Sequence, residues 1–256
     1  MKRDTERHAV AREPGALNRR EFLGRVGLAG AGLAVGAGLL RGLDPLAGSA
    51  PKRDPAADLS PERLRYLEFA EPGGEPPGAV DPRDWRIRFD GLAGSAHELS
   101  VAELLERLPV ETRRVRSGLH AVGEEPWTGF PLAALVRWMR PPPAARYLRV
   151  VSFTSPALAP NQRRATCYPW PYREGLSLED ALDPRAFVAA GIGGRALPLL
   201  RGAPLRLVLP WKRGYKSAKG IVRFELTGRQ PGTFRGELQP RTCDFAGEAM
   251  PNAPLA

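Results

Sequence analysis

The chain of 256 residues contains 28 glycines and 27 prolines without a fixed period, which excludes a collagen-like protein, and its 43% of hydrophobic residues suffices for a folded core. Two cysteines exclude a disulfide scaffold and a four-cysteine zinc or iron–sulfur site, and three histidines argue against a histidine-based metal site. The formal net charge of +10 would suit nucleic acid, but zinc-finger, RNP-type and KH patterns are missing, so we expect no nucleic acid partner.

Residues 1–50 have the pattern of an export signal. The segment Arg19-Arg20-Glu21-Phe22-Leu23 precedes fifteen uncharged residues, Val26 to Leu40, and small residues follow at positions 47–50. The uncharged run is shorter than the roughly 20 residues that a transmembrane helix needs. The adjacent arginines resemble the twin-arginine type of signal. We therefore expect a periplasmic or extracytoplasmic protein exported by the twin-arginine route, with an uncleaved anchor as the alternative.

The rest of the chain is predicted as a linker over residues 51–62 and one domain over residues 63–256. The linker is rich in proline, alanine and aspartate. In the domain, Trp85, Ile87 and Phe89 alternate with charged residues, which predicts a half-buried strand. Export permits a disulfide between Cys167 and Cys243, although two free thiols agree equally well with the sequence.

Short helices and strands follow in alternation. The capping box formed by Ser100 and Glu103 predicts a helix that ends near Leu108. The further predicted helices are Leu132 to Trp138, before three prolines, and a turn at Ser177 to Leu182. Residues Val115 to Ser117 are predicted as the end of a strand that leads into a loop. The further predicted strands are Tyr147 to Val151, Leu205 to Leu209, and Ile221 to Leu226. Many short strands and few helices predict a single domain of the α+β class, mostly β.

The stretch from residue 201 to residue 220 is the strongest candidate for a binding site. It contains three of the five lysines of the chain, Lys212, Lys216 and Lys219, together with Gly214 and Ser217. Ammonium groups, a hydroxyl and exposed backbone N–H groups suit a phosphate or another oxyanion, while Trp211 and Tyr215 can cover a ring. A solvated basic turn with two packing aromatics is the alternative.

Four stretches resemble one enzyme family. They are residues 66–69 (Y-L-E-F), residues 126–132 (P-W-T-G-F-P-L), residues 172–176 (Y-R-E-G-L), and residues 202–219, which follow the pattern G-A-P-x-R-L-x-x-P-W-K-x-G-x-K-x-x-K. The family is that of the catalytic subunits of molybdopterin-dependent protein-methionine-sulfoxide reductases. The resemblance covers roughly residues 62–255 and implies a sulfite-oxidase-type molybdopterin-binding fold with Mo-molybdopterin as cofactor.

The resemblance also implies the residues that bind the cofactor. They are Leu67, Glu68, Ser152, Arg201, Arg206, Ser217, Ala218 and Lys219. The assignment of Arg206 and Lys219 to the cofactor also has a direct physical reason, because their positive charges can neutralise its phosphate. Leu67 replaces a tyrosine of the family and Arg201 an asparagine, so Leu67 offers only its backbone and Arg201 adds positive charge.

The expected metal ligand is the main departure from the family. The family has a molybdenum-ligating cysteine ten residues before the tryptophan of P-W-x-G-F-P, and Ser117 stands at this position. A serine oxygen is a harder ligand than a thiolate and loses its proton less readily. His120 is a possible substitute ligand or proton donor, or a structural residue of the loop.

The resemblance implies an exported oxidoreductase acting by oxygen-atom transfer, such as the reduction of protein methionine sulfoxide. Its partners would be a sulfoxide substrate and a membrane haem or quinol-linked subunit that donates electrons. The alternative is a non-catalytic sulfite-oxidase-fold paralogue that binds pterin or another anion without redox turnover, which the loss of the cysteine favours. A third interpretation, a basic periplasmic protein that binds acidic ligands, is supported only by the net positive charge of the chain. No catalytic residue is assigned.

Overall fold

The structure, a computed structural model, describes residues 85–91, 96–115, 126–159, 162, 168–238 and 245–247. In this part of the chain, ten short strands form two β-sheets. The strands are β1 Arg86–Asp90, β2 His97–Ser100, β3 Glu111–Arg114, β4 Pro126–Pro131, β5 Tyr147–Ser152, β6 Arg173–Ser177, β7 Phe187–Ile192, β8 Arg195–Ala196, β9 Arg206–Val208 and β10 Ile221–Thr227. The α-helices are α1 Val101–Arg107, α2 Leu132–Trp138, α3 Leu178–Leu182 and α4 Phe234–Leu238.

The first sheet has the strand order β2-β1-β10-β5-β6. Its central strand is β10, which lies parallel to β1 and antiparallel to β5. The second sheet has the order β3-β4-β7-β8, and β9 also pairs with β7. The loop from β9 to β10 leaves the second sheet and enters the middle of the first one, so it connects the two sheets.

Local sequence patterns explain the elements that were predicted. In β1, Ile87 and Phe89 are fully buried while Arg86 and Arg88 are exposed, as the alternation predicts. At the start of α1, Ser100 Oγ accepts a hydrogen bond from the backbone N–H of Glu103 at 3.1 Å, and the Glu103 carboxylate accepts from the Ser100 N–H at 2.7 Å. This reciprocal pair satisfies two N–H groups that the first turn of a helix leaves without partners.

The apolar core has two parts, and β7 contributes to both. Val188 and Ala190 belong to the larger cluster, which the first sheet shares with α1 and α2. Phe187 and Ala189 face the smaller cluster, which also holds Trp127 of β4. Because β7 is buried on both faces, it is hydrophobic along its whole length.

The prediction of a mostly β, α+β fold in a single domain is confirmed. Within the described residues, no helix has the length and hydrophobicity that crossing a membrane requires. The predicted strand end at Val115 to Ser117 falls just after β3, and its last two residues lie outside the part of the chain that the structure describes. The boundaries at residues 50 and 62 also lie outside it and stay predictions.

Candidate functional site: a cationic cradle between the two sheets

Residues 217–220 form hydrogen bonds with both β-sheets. Ser217 Oγ accepts from the N–H of Leu209 at 3.2 Å, and the carbonyl of Ala218 accepts from the N–H of Leu207 at 2.9 Å. These bonds hold the segment against β9 of the second sheet. Its position is therefore fixed by hydrogen bonds within the protein before any ligand is considered.

Ser152, at the end of β5, holds the same segment from the first sheet. Its hydroxyl donates to the carbonyl of Lys219 at 2.5 Å, and both residues are buried. The following residue, Phe153, donates its N–H to the carbonyl of Gly220 at 2.8 Å. Since the Ser152 proton is used inside the protein, the Ser152 oxygen is left with acceptor capacity only.

Arg206 and Lys219 lie side by side across Gly202. A Cβ atom on Gly202 would lie 3.0 Å from Cβ and Cγ of Lys219 and 3.1 Å from Cβ of Arg206. Gly202 has a φ of +108°, and its carbonyl accepts the N–H of Gly220 at 3.0 Å. A glycine is needed here because its backbone approaches both cationic residues closely. The side chains of Arg206 and Lys219 therefore leave the backbone close to one another, beside Gly202.

The side chain of Arg206 is directed toward the smaller core cluster. Its guanidinium carbon lies 5.1 Å from the centre of the Trp127 ring, and its Nη1 donates to the carbonyl of Arg201 at 3.2 Å. Arg206 is only 4% exposed and Lys219 only 8%. Two cationic side chains buried beside each other suit an anionic ligand.

The other two lysines of the loop do not join this site, which corrects the expectation that all three serve one anion. Lys216 is fully buried, and its Nζ forms an ion pair with Glu174 Oε1 at 2.7 Å. Lys212 is also buried, and its Nζ lies 3.0 Å from Asp180 Oδ1. The interpretation as a solvated basic turn is equally wrong, because all three lysines are buried.

The aromatic residues of the loop have structural contacts. The Trp211 ring stacks with the guanidinium of Arg185, whose carbon lies 4.3 Å from the ring centre. The carbonyl of Tyr215 accepts from the hydroxyl of the buried Tyr172 at 2.5 Å. Trp127 is the aromatic ring that borders the cationic pair, although the sequence singled it out only as part of a motif.

Several predicted site residues lie outside the described part of the chain. These are Leu67, Glu68, Ser117, His120, Cys167 and Cys243. Within the described part, no three histidine, cysteine or acidic residues are grouped as metal ligands. Among the predicted cofactor residues that are described, Arg206 and Lys219 lie against Gly202, and Arg201 precedes it and accepts from Arg206. Ser152 bonds to Lys219, while Ser217 and Ala218 bond to Leu209 and Leu207, close after Arg206.

The chemistry of this group of residues fits a ligand that is anionic and carries polar ring edges. Two buried cations supply positive charge for a phosphate, and Ser217 supplies a hydroxyl. Sequence reasoning missed the role of Gly202. This residue belongs to the motif at residues 202–219, and only its positive φ and its close contacts with Arg206 and Lys219 show why a glycine is needed there.

Comparisons with known proteins agree with this chemistry. Residues 73–235 match the family model described as the oxidoreductase molybdopterin binding domain. The chain is 32% identical over 257 residues to the protein-methionine-sulfoxide reductase catalytic subunit MsrP of Burkholderia mallei (strain ATCC 23344), an alignment that covers 92% of this chain and 77% of that protein. The solved sulfane dehydrogenase SoxCD from Paracoccus pantotrophus aligns with a TM-score of 0.48 and 18% identity, over 70% of this chain and 50% of that chain. The chain therefore belongs to the molybdopterin-binding oxidoreductases, and its cofactor is Mo-molybdopterin.

Proposed function

We propose that this oxidoreductase is exported and reduces sulfoxides by oxygen-atom transfer, with methionine sulfoxide in proteins as the substrate class. Support comes from the relative named as a protein-methionine-sulfoxide reductase catalytic subunit, which aligns over 92% of this chain. The twin-arginine pattern at Arg19-Arg20 supports export to the periplasm or another extracytoplasmic compartment.

The observation that carries the proposal is the pairing of Arg206 and Lys219 around Gly202. Both cations are buried, and a molybdopterin phosphate is the kind of dianion that balances two such charges. Ser217 and the backbone of Ala218 and Lys219 would contact the pterin. Leu67 and Glu68 are assigned to the cofactor by resemblance alone.

The molybdenum centre, when bound, supplies two-electron oxygen-atom transfer, and the protein supplies binding, orientation and electrostatics. In the net reaction the S–O bond of the sulfoxide breaks, two electrons and two protons are consumed, and a thioether and water are formed. The electrons would come from a membrane haem or quinol-linked partner. The role of Arg206 and Lys219 is to hold the anionic cofactor in one orientation in a site shielded from water.

Ser117 is proposed as the protein ligand of the metal, since it occupies the position of the family's cysteine. An alkoxide donates less electron density than a thiolate, so the metal should differ in its spectrum from that of relatives with cysteine. The test is Ser117→Ala, which should abolish activity and change the molybdenum spectrum. An unchanged spectrum and rate would clear Ser117 of this role.

The replacement of cysteine by Ser117 also favours a second candidate, a paralogue that holds the pterin without redox turnover. One experiment separates the two. The full chain is produced in a host that makes the cofactor, the mature protein is analysed for molybdenum and for oxidised pterin fluorescence, and reduction of a methionine sulfoxide peptide is measured with a reduced viologen dye as electron donor.

For the enzyme we expect molybdenum near one per chain and turnover of the peptide. Cofactor without turnover would support the paralogue, whereas neither metal nor pterin would remove both candidates. Export is tested by cell fractionation of Arg19→Lys/Arg20→Lys, which should stay in the cytoplasm. Equal amounts of the variant and the wild type outside the cytoplasm would refute the twin-arginine route.

A further inference from the structure

Lys216 uses all of its hydrogen-bonding capacity inside the protein. Its side chain is fully buried, and Nζ donates to Glu174 Oε1 at 2.7 Å, to the Gly175 carbonyl at 2.5 Å and to the Phe245 carbonyl at 2.7 Å. An ammonium group has three protons, and each of them has an acceptor here. Lys216 therefore joins three segments that are far apart in sequence.

Two of these acceptors belong to β6, the edge strand of the first sheet. The third belongs to residues Phe245–Gly247, which we call the C-terminal strap. The strap lies beyond residue 235, where the match to the family model ends. It is nevertheless part of the fold, because the Phe245 ring packs edge-on against Tyr147 with 5.5 Å between ring centres.

The strap touches the side chain of Lys216 directly. Gly247 has a φ of +59°, and a Cβ atom on it would lie 2.5 Å from Cγ and 2.6 Å from Cδ of Lys216. Its carbonyl accepts from the N–H of Arg213 at 2.7 Å. The Phe245 ring centre lies 4.7 Å from Lys216 Nζ, within range of a cation–π interaction. The strap thus encloses the stem and the charge of one lysine.

Lys216 immediately precedes the residues assigned to the pterin, Ser217, Ala218 and Lys219. Beyond that point, hydrogen bonds to Leu209, Leu207 and Ser152 hold the Ser217 hydroxyl and the carbonyls of Ala218 and Lys219, respectively. The side chain of Lys216, together with the hydrogen bond from the Tyr172 hydroxyl to the Tyr215 carbonyl, holds the start of this segment against β6 and the residue before it. A shift of Lys216 is transmitted to Ser217 and Ala218 through the covalent chain.

We propose that Lys216, held by Glu174 and by the C-terminal strap, is a positioning residue that sets the affinity of the segment 217–219 for the pterin. The inference rests on the proposed assignment of these residues to the cofactor. A buried ion pair is a poor device for stability, because desolvation offsets most of the attraction between the charges. Glu174 Oε2 even has no hydrogen-bond partner among the described residues, which adds to the cost. The pair is better explained by the geometry that it imposes.

The mildest test is Gly247→Ala, with Gly193→Ala as the matched control. Gly193 has a similar φ of +56°, but a Cβ there would meet no atom within 4 Å. Both variants place an L-residue at a positive φ, whereas only the first one adds close contacts, which are with Lys216 and, at 3.2 Å, with the Tyr215 hydroxyl. The readouts are molybdenum and pterin per folded chain, and the rate at which pterin leaves the folded protein well below its unfolding temperature.

We expect Gly247→Ala to lose cofactor about tenfold faster than Gly193→Ala, a size typical for residues that support a ligand's first contacts. Equal rates and equal cofactor contents would overturn the inference. A wild type without molybdenum and pterin would instead overturn the assignment of the cofactor site itself, so the two failures are distinguishable.

The second test removes both charges with Glu174→Gln/Lys216→Met, and its control is Arg149→Met/Glu225→Gln, which removes an ion pair of 2.5 Å on the first sheet. A role in stability alone predicts that cofactor content per folded chain stays at the level of the control. Positioning predicts a content lower by about tenfold at the same folded fraction. If Gly247→Ala does not fold, this comparison decides the question.

Discussion

The substitution Gly202→Ala is the sharpest test of the cationic cradle, the site that Arg206 and Lys219 form beside Gly202. Its φ of +108° costs an L-residue about 1–2 kcal/mol. In addition, the new methyl group would lie 3.0 Å from Lys219 Cβ and 3.1 Å from Arg206 Cβ. Carbon atoms prefer separations of about 3.5–4.0 Å, so both side chains must move apart, and overpacking of this kind costs about 1–3 kcal/mol.

The expected loss of unfolding free energy is therefore about 2–5 kcal/mol. Gly193→Ala separates the two contributions, because Gly193 has a positive φ and open space and should lose only the strain of about 1–2 kcal/mol. The assay is urea denaturation of both variants and the wild type, with molybdenum and pterin measured on the folded protein.

Gly202→Ala should be less stable than Gly193→Ala by about 1–3 kcal/mol, or roughly 2–12 °C in Tm, and should retain less cofactor. If the two variants have the same stability and the same cofactor content, Arg206 and Lys219 do not flank Gly202, and this description of the site is wrong.

Three further predictions concern single groups. Lys219→Ala should weaken pterin retention by removing one of the two cations, and a variant that keeps its full cofactor would count against the phosphate site. Burial raises the pKa of Glu174 in the folded protein, although Lys216 opposes the shift, so the folded chain holds this proton more tightly than the unfolded chain does. The stabilisation that this proton gives to the folded chain is complete below the ordinary carboxyl pKa, and it is lost as the pH rises through the raised pKa of the folded chain. In Glu174→Gln the unfolding free energy should therefore lack this decrease with rising pH. Identical pH profiles of the unfolding free energy in the variant and the wild type would refute the shift. Ser100→Ala removes the acceptor for the Glu103 N–H and should lower the unfolding free energy by about 0.5–2 kcal/mol, whereas an unchanged urea midpoint would contradict the capping role.

The elements that sequence predicted are those whose signals are local. The alternation around Ile87 and the capping box at Ser100 each lie within a few residues, and both agree with the structure. The helix Leu132–Trp138 was predicted with the same bounds. In each case the pattern depends on contacts between near neighbours, which the sequence displays directly.

Three strands have no such local signal. The residues of β7, Phe187–Ile192, are buried on both faces, so they show no alternation. The strand β6 carries Glu174 and Gly175, which are poor strand formers, and β4 begins and ends with proline. These segments become strands because neighbouring strands pair with them, and this tertiary effect overrides their propensity.

The candidate site was predictable as a set of residue types but not as an arrangement. Lys212, Lys216 and Lys219 are equivalent in the sequence, and all of them suit an anion. The structure separates them through Asp180 and Glu174, which precede the loop by about thirty to forty residues. Only the fold shows that Lys212 and Lys216 pair with acids, so a count of charges in the sequence overestimates the number of lysines at the candidate site.

The position of β10 in the middle of the first sheet determines when this protein can finish folding. Its neighbour β1 comes from the start of the domain, so the sheet stays open until the ribosome has released residues 221–227. Residues 217–219, which we propose to bind the pterin, emerge immediately before that strand. The first sheet and the proposed cofactor site are therefore completed at nearly the same point of synthesis. A polypeptide whose synthesis stops before Ile221 lacks the central strand of the first sheet, so the residues proposed to bind the cofactor are not yet held between two complete sheets.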